Sequence, residues 1–269
     1  MEELLAMATT DNVTDQEQNS SNAATEPAAS ILVIDIGGSK VKILATGQIE
    51  PRKIRAGKRL TLIRMVEAVR ELAYGWDYDA VSIGYPGMVG ENGPRAEPGN
   101  LGPGWVGFNF AAAFGLPVRI INDAAMQALG SYEDGRMLFL GLGTGLGSVL
   151  IADHVVVPLE LGQLLYKDGE MLGDILGDRG FKRLGKKSWR RVVKEVVPIL
   201  MGAFLADYVV LGGGNGKKLK GLPVGARLGH NLTAFRGGFR LWNLDGIHTL
   251  LTDERQSCSS QAPIEWRLI

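Results

Sequence analysis

Two short stretches of the chain combine residue types that could carry out chemistry. Asn122 and Asp123 follow the apolar run 118–121, which is typical of a buried strand. Further along, residues 140–148 read LGLGTGLGS, a strand that breaks into glycines. A carboxylate can take the proton of a hydroxyl group, and the backbone N–H groups of a glycine turn can surround a phosphate. Together the two stretches indicate transfer of a phosphoryl group to a hydroxyl, with Asp123 as the base.

Each stretch also has a purely structural interpretation. An Asn-Asp pair ahead of a helix is more often only a cap for the first helical N–H groups. A glycine-rich strand end is often only a turn. The residues alone leave both alternatives open.

Composition limits the classes of protein that the chain can represent. Its 269 residues are 45% hydrophobic, enough for one large core or two modest ones. A formal net charge of zero argues against nucleic-acid binding driven by overall charge. The single cysteine, Cys258, excludes an internal disulfide and a multi-cysteine zinc site. No apolar run is long enough to span a bilayer and no secretory signal is present, so we expect a cytoplasmic protein.

Residues 1–29 differ in composition from the rest of the chain. They are rich in Ser, Thr, Asn, Gln and Ala, carry several acidic residues and contain no Lys or Arg. Such a segment buries too little apolar surface to offset its ordering entropy, so a disordered leader is predicted. It is too short and too unpatterned for a helix-turn-helix domain.

A second glycine turn occurs early in the chain, where residues 31–44 read as an apolar strand, a turn and another strand. The short turn predicts an antiparallel hairpin and not a Walker loop. Gly37, Gly38 and Ser39 could offer N–H groups to a phosphate. Asp35 beside the turn could cap it or face a magnesium ion with its water. Because 140–149 repeats this strand-turn-strand pattern, two similar domains holding a phosphate between their hairpins are predicted.

The remaining elements are expected to position these groups. Residues 60–74 predict an amphipathic helix, 80–85 and 208–211 predict strands, and 192–205 predict an apolar helix kinked at Pro198. From Leu222 onward the chain reads as loop, and 252–269 as poorly ordered. The loop 96–110 could line a sugar pocket with its amides, or could simply be a surface loop anchored by Trp105.

The span 178–191 is the most basic in the chain. A charge run of this kind is usually a solvated face. If the segment is helical, cations four residues apart share one side, where a polyanion could bind. The cations concerned are Lys182, Arg183, Lys186, Lys187, Arg190 and Arg191.

Six motifs in order resemble those of the ROK family sugar kinases of the actin-like ATPase superfamily. The motifs are DIGGS at 35–39, GYPG at 84–87, NDA at 122–124, LGTGLG at 142–147, ELG at 160–162 and GGG at 212–214. The later motifs, between 177 and 242, are similar to the polyphosphate glucokinase branch. The resemblance implies an α/β fold of two ribonuclease-H-like domains with a cleft between them. We expect a small N-terminal domain over 30–121, a large C-terminal domain over 122–245 and a tail over 246–269.

The resemblance also implies roles for individual residues. Asp123 matches the catalytic base, and the sugar-binding positions fall on Asn100, Asn122, Asp123, Glu160 and Gln163. The phosphate-binding positions fall on Asp35, Gly37, Gly38, Ser39, Gly143, Thr144 and Gly145, and the nucleotide-binding positions on Gly213 and Gly214. The basic span would then be a track for polyphosphate.

The implied reaction is phosphorylation of the 6-hydroxyl of glucose by polyphosphate, ATP or both, with Mg²⁺ accompanying the donor. The expected partners are these substrates and a second copy of the chain, with no nucleic acid and no membrane. Gln163 stands where the family usually has histidine, and the cysteine zinc motif of the family is missing, as in the polyphosphate branch. A sugar-binding regulator is the alternative, but it needs a DNA-binding domain that residues 1–29 do not supply. A degenerate sugar-binding protein without turnover is a further alternative.

Overall fold

The computed structural model describes residues 30–99, 101–230 and 232–242, together with the backbone of 267–268. The predicted leader, Asn100 and most of the predicted tail lie outside these ranges. The two described residues of the tail form a short strand.

A five-stranded mixed sheet forms the first half of the molecule. Its strands are β1 (Ile31–Ile36), β2 (Lys40–Ala45), β3 (Arg52–Arg55), β4 (Ala80–Tyr85) and β7 (Val118–Asn122). The spatial order is β3-β2-β1-β4-β7, in which β1, β2 and β3 are antiparallel neighbours and β1, β4 and β7 are parallel. The parallel strands end at the same edge, where they deliver polar residues. A small antiparallel ribbon joins β5 (Val89–Gly90) to β6 (Gly93–Pro94).

The second sheet repeats the topology of the first. Its order is β12-β11-β8-β9-β10-β13, with β8, β9 and β10 antiparallel and β8, β11 and β12 parallel. The strands are β8 (Met137–Leu142), β9 (Leu146–Ala152), β10 (Val155–Leu159), β11 (Tyr208–Gly212), β12 (Ala226–Leu228) and β13 (Arg267–Leu268). The predicted α/β fold of two ribonuclease-H-like domains is therefore confirmed, and the paired hairpins are β1-β2 and β8-β9.

The described helices either cover the sheets or separate them. They are α1 (Leu62–Leu72), α2 (Phe110–Phe114), α3 (Asp123–Ser131), α4 (Leu172–Leu176), α5 (Asp178–Ala203) and α6 (Thr233–Arg240). Three short 3-10 helices cover Leu161–Gln163, Lys167–Gly169 and Gly216–Lys218. Helix α1 packs its apolar face on the first sheet, and α5 packs on the second. Among the described residues, no helix is both long enough and apolar enough to cross a bilayer.

Helices α3 and α6 pack against each other between the two sheets, and one continuous apolar core surrounds them. Their backbones touch at Gly130 and Gly237, where any larger side chain would overlap the facing helix. Gly238 of α6 lies against the side chain of Val33 in β1, which a larger residue at 238 would also overlap. The buried Ser82 hydroxyl donates to the Gly238 carbonyl at 2.6 Å and accepts from the Trp242 indole at 2.9 Å. The end of the second half of the chain is thereby fixed to the first sheet.

Two expectations about the second half of the chain are wrong. The segment after Leu222 was expected to be loop, but it contains β12 and α6. The helix expected over 192–205 is part of a longer helix that begins at Asp178, and its backbone leaves the helical range at Gly185 (φ 71°), where no interruption is predicted. Glycine adopts this left-handed conformation without the steric cost of a Cβ, so the interruption falls there.

Candidate active site

A cleft of about 870 Å³ opens where the carboxyl ends of the parallel strands of both sheets meet. Nine of the predicted site residues line it, from widely separated parts of the chain, whereas Asp35, Gly37, Ser39 and the cations of the basic span do not. Those that do are Gly38, Asn122, Asp123, Gly143, Thr144, Gly145, Glu160, Gln163 and Gly213.

Asp123 reaches the cleft because strand β7 passes directly into helix α3. Asn122 is the N-cap: its side-chain oxygen accepts from the N–H groups of Ala124 at 2.9 Å and Ala125 at 3.1 Å. Its side-chain nitrogen donates to the Gly87 carbonyl at 3.0 Å. The capping alternative is thus true of Asn122, and the cap holds the neighbouring carboxylate at the start of the helix.

The environment of Asp123 makes its carboxyl group a weak acid. Burial is the main cause and the nearby Asp35 carboxylate adds repulsion, so that the pKa of Asp123 rises from 3.8 to about 7. The Ala124 N–H, which donates to Asp123 at 2.8 Å, acts in the opposite direction. Asp35 itself is buried and forms an ion pair of 2.8 Å with Lys42. It therefore interacts with the Lys42 cation and with the Asp123 carboxyl group, and does not cap the turn.

In both glycine hairpins the first glycine closes the turn, but the two turns differ in length. In the first, the Gly37 N–H donates to the Lys40 carbonyl at 3.0 Å, and in the second the Gly143 N–H donates to the Gly145 carbonyl at 3.1 Å. Within the described part of the chain, the following N–H groups, of Gly38 and Ser39 and of Thr144 and Gly145, have no hydrogen-bond partner. They remain available to an anion.

Glu160 and Gln163 enter the cleft from the segment after β10. The buried Ser148 hydroxyl donates to the Leu159 carbonyl at 2.8 Å and accepts from the Leu161 N–H at 3.0 Å. These bonds fix the start of the 3-10 helix Leu161–Gln163, where Glu160 is the capping residue. Both side chains are exposed to the cleft. They add polar groups to the lining of the cleft.

Behind the second hairpin lies a polar group that the sequence did not reveal. The buried Asn215 donates to Asp178 at 2.8 Å and to the Gly143 carbonyl at 3.3 Å. The Asp178 N–H also donates to the Gly143 carbonyl, at 2.8 Å. Asn215 follows the glycine run in sequence, and this was the only available signal. Gly213 (φ 75°) lines the cleft beside these residues, whereas Gly214 is exposed and does not line it.

The basic span does not form one continuous row. Because Gly185 interrupts α5, the predicted pairing of Lys182 with Lys186 and of Arg183 with Lys187 on one helical side is wrong. Arg183 forms an ion pair with Glu170, and Arg190 donates to the Lys218 carbonyl. Beyond the break the helical spacing holds, and the exposed Lys187 and Arg191 lie four residues apart.

The loop 96–110 is anchored in the core. Trp105 is fully buried, and its indole N–H donates to the Gly102 carbonyl at 2.7 Å. The Glu97 carboxylate accepts from the N–H groups of three consecutive residues, 104–106. Asn109 caps α2. The described amide of this loop therefore has a structural role, while Gly99 lines the cleft.

The residues around the cleft fit a metal ion that binds together with a phosphate-containing substrate better than one held by the protein alone. Among the described residues there is no group of three His, Cys, Asp or Glu side chains that could hold a metal ion. Asp35 is nevertheless close enough to Asp123 to raise the pKa of that group. Mg²⁺ is often held by one or two carboxylates together with substrate phosphates, and one buried carboxylate beside the first glycine turn fits that arrangement.

Comparison with known proteins connects this geometry to a family. No family model matches the chain. The chain is 27% identical over 211 residues to a polyphosphate glucokinase of Mycobacterium tuberculosis, covering 69% of this chain and 77% of that protein. It is also 27% identical over 199 residues to a bifunctional enzyme NanE/NanK of Brucella melitensis, covering 66% of this chain and 37% of that protein.

Solved structures show the same fold. An inorganic polyphosphate/ATP-glucomannokinase from Arthrobacter matches with a TM-score of 0.67 and 24% identity over 80% of this chain and 98% of that one. A ROK family glucokinase from Streptomyces griseus, solved with glucose and AMPPNP, matches with a TM-score of 0.58 and 18% identity over 79% and 98%. The resemblance predicted from the motifs is thus confirmed: the chain has the two-domain fold of the ROK family sugar kinases and is similar in sequence to polyphosphate glucokinases.

Proposed function

We propose that this protein is a sugar kinase that transfers a phosphoryl group from polyphosphate, ATP or both to the 6-hydroxyl of glucose. The names of its relatives support the sugar-kinase class and suggest the donor and acceptor. The proposed location is the cytoplasm, in keeping with a single cysteine, and the proposed assembly is a homodimer.

The observation that carries the proposal is that the carboxyl group of Asp123 lies in the cleft together with the turns of the two glycine hairpins, β1-β2 and β8-β9. A pKa of about 7 lets this group be ionised near neutral pH and still accept a proton effectively. An ordinary exposed aspartate would be a much weaker base. Burial therefore supplies the basicity that the reaction needs.

In the proposed reaction, Asp123 accepts the proton of the sugar hydroxyl as the hydroxyl oxygen forms a bond to the terminal phosphorus of the donor. The bond from that phosphorus to its bridging oxygen breaks, and the shortened donor leaves with the electron pair. Little covalent work falls to the protein, because positioning and neutralisation of charge dominate phosphoryl transfer. Fixing the hydroxyl against the base is the contribution of the α3 N-terminus.

The donor phosphates would lie between the hairpins, where the N–H groups of Gly38, Ser39, Thr144 and Gly145 are available. When bound, Mg²⁺ would neutralise charge on these phosphates. Asp35, a buried carboxylate near Asp123, would hold the ion. Lys42, paired with Asp35, keeps that carboxylate from adding an unpaired charge beside Asp123.

The sugar would lie against Glu160 and Gln163, whose polar atoms can exchange hydrogen bonds with hydroxyl groups. Asn122 already uses its oxygen twice and its nitrogen once within the protein. It has one remaining N–H for the sugar, so its main contribution is to hold Asp123 in place.

The alternative is a sugar-binding protein without turnover, as in ROK family regulators. A ROK family transcriptional regulator has the same fold, with a TM-score of 0.58 and 15% identity. Gln163, where the kinases usually carry histidine, favours this alternative. The retained base and both hairpins favour a kinase.

Replacing Asp123 with asparagine tests the proposal. Asp123→Asn keeps the size of the side chain but removes the basic lone pair. We expect phosphorylation of glucose, assayed with ATP and with polyphosphate, to fall at least about a hundredfold while glucose still binds by calorimetry. Asp77→Asn is the matched control, because Asp77 is exposed and precedes β4 at the edge remote from the cleft. Turnover of the asparagine variant close to that of the control would contradict the assignment.

A further inference from the structure

A second surface cavity, of about 410 Å³, lies at the edge of the first sheet and is strongly cationic. We call its four charged residues the rim cluster: Arg55, Lys58, Arg59 and Arg64. All four side chains are exposed, and no acidic residue lines the cavity. Within the described part of the chain, none of the four forms an ion pair. The phosphate-binding role proposed for the glycine hairpins and the proposed sugar site do not explain why these four cations lie together.

The rim cluster begins where the first phosphate-type turn ends. Ala56, which follows the end of β3, donates its N–H to the Ser39 carbonyl at 3.0 Å. Arg55 is the cross-strand neighbour of Lys40, the residue after that turn. If the N–H groups of Gly38 and Ser39 held one phosphate of a longer anion, the phosphates that follow it would lie beside Lys40 and Arg55.

The loop that carries the cluster is held in shape by backbone hydrogen bonds. The Leu60 N–H donates to the Gly57 carbonyl at 2.8 Å, and the Gly102 N–H donates to the Leu60 carbonyl at 3.0 Å. Lys58 and Arg59 lie between these anchored points. Their backbone is therefore fixed before any ligand binds, which reduces the entropy lost on binding.

The pairing of β2 with β3 places like charges opposite each other. Lys40 faces Arg55, and Lys42 faces Lys53. Directly opposed like charges destabilise a sheet, and among the described residues only Lys42 has a carboxylate partner, Asp35. A bound polyanion would remove the repulsion between Lys40 and Arg55.

The rim cluster is better suited to a long anion than the broken basic span on α5. In that span Arg183 is paired with Glu170, Arg179 with Asp174 at 3.4 Å, and the helix is interrupted at Gly185. The rim cluster has no such internal partners and adjoins a phosphate-type turn.

We infer that the rim cluster binds the extended part of an inorganic polyphosphate chain whose reacting end lies at the Gly37–Ser39 turn. This inference rests on the proposed function, because it assumes that the cleft accepts a phosphate donor. A polymer with about one charge per phosphate would displace counterions as it binds along the row, as nucleic acids do. A nucleotide ends in a short phosphate chain and so has few charges to extend from the turn along the cluster.

The test measures equilibrium binding of long-chain polyphosphate and of tripolyphosphate to the full chain over a range of salt concentrations. Lys58→Ala/Arg59→Ala should bind long-chain polyphosphate about tenfold more weakly at low salt. The slope of log K against log salt should decrease by about 1.4, since each contact to a flexible single strand contributes about 0.7. Binding of tripolyphosphate and the KM for ATP should change less than about twofold. Circular dichroism and melting temperature show whether the variant is folded.

Arg59→Ala and Arg136→Ala form a matched pair, since both remove one exposed arginine. Arg136 precedes β8 and so lies at the end of the second sheet opposite the glycine hairpin. Only Arg59→Ala should reduce the slope. Equal slopes for the two variants, or equal weakening of tripolyphosphate and the long chain, would overturn the inference. Stronger dependence on Lys58 and Arg59 for single-stranded RNA than for polyphosphate would overturn it in favour of a nucleic-acid surface.

The binding measurement separates this inference from the proposed function. If polyphosphate binds through the rim cluster but supports no turnover, the binding role of the cluster is supported and polyphosphate is not the donor. If polyphosphate is a donor and its KM is unchanged in Lys58→Ala/Arg59→Ala, the proposed function is supported and the binding role of the rim cluster is refuted.

Discussion

The contact between α3 and α6 makes a sharp prediction about Gly237. A methyl carbon at Gly237 would lie 1.8 Å from the Met126 carbonyl oxygen and 3.0 Å from the Gly130 nitrogen. Side-chain carbons essentially never come closer than 3.0 Å to such atoms, so the helices would have to separate by at least 1.2 Å. Since all the atoms concerned belong to helical backbone, no side chain can rotate to make room.

The magnitude follows from two opposing terms. Alanine is more favourable than glycine in a helix interior by about 1 kcal/mol, whereas overpacking a core costs about 1–3 kcal/mol and occasionally more. With backbone against backbone, the upper part of that range applies. We therefore expect Gly237→Ala to lower the free energy of unfolding by about 2 kcal/mol, and the melting temperature by about 4–8 °C.

Gly202 provides the matched control. It also lies within a helix, α5, but it is exposed and a methyl group there would contact nothing within 4 Å. Gly202→Ala should gain helix propensity without any steric overlap, and should therefore raise the free energy of unfolding by about 0.5–1 kcal/mol. Urea titration and thermal melts of both variants measure the difference.

The packing prediction also extends to the cleft, because α3 begins with Asp123. Separation of the helices should shift this carboxylate, so the kcat of Gly237→Ala should fall even at temperatures where the variant is folded. If Gly237→Ala were as stable as Gly202→Ala, the close approach of the two helices, and the reasoning from it, would be refuted.

Three further predictions concern the cleft and its surroundings. Because the pKa of Asp123 is raised from 3.8 to about 7, ionisation of this group lowers the free energy of unfolding progressively as pH rises through that interval. The melting temperature of Asp123→Asn should therefore exceed that of the parent protein by more at pH 8 than at pH 5. A constant difference would contradict the raised pKa. Gln163→His should lower the KM for glucose, since one added hydrogen bond contributes about 0.5–1.5 kcal/mol, and unchanged constants for glucose and other hexoses would place residue 163 outside the sugar pocket. Because the basic span is interrupted at Gly185, Lys187→Ala/Arg191→Ala should weaken use of polyphosphate less than Lys58→Ala/Arg59→Ala does and should leave ATP-dependent activity nearly unchanged; a larger loss than that of the rim-cluster variant would assign the polymer to α5.

Much of the fold could be predicted from local pattern. Strand β4 over Ala80–Tyr85 agrees with the prediction at both ends, because a short apolar run between polar segments has few other structures available. The two glycine hairpins and the cap at Asn122 were also predictable, since each depends on residues adjacent in sequence. Their repetition was enough to predict two similar domains.

Helix α6 shows what the sequence did not disclose. Its adjacent glycines, Gly237 and Gly238, suggest a loop by propensity alone. In the folded protein they are the positions where α6 meets the backbone of α3 and the side chain of Val33. Tertiary packing therefore stabilises a helix that local preference disfavours.

The sequence determined which groups could do chemistry, while the tertiary structure decided their state. Asp123 was identifiable as a carboxylate at a strand end, but its pKa depends on burial and on Asp35, which reaches it from another strand. The Asp178–Asn215 contact likewise joins residues that are distant in the chain. Electrostatic interactions act through space, so residue types can be read from the sequence, whereas the charges that surround them are set only when the strands are brought together.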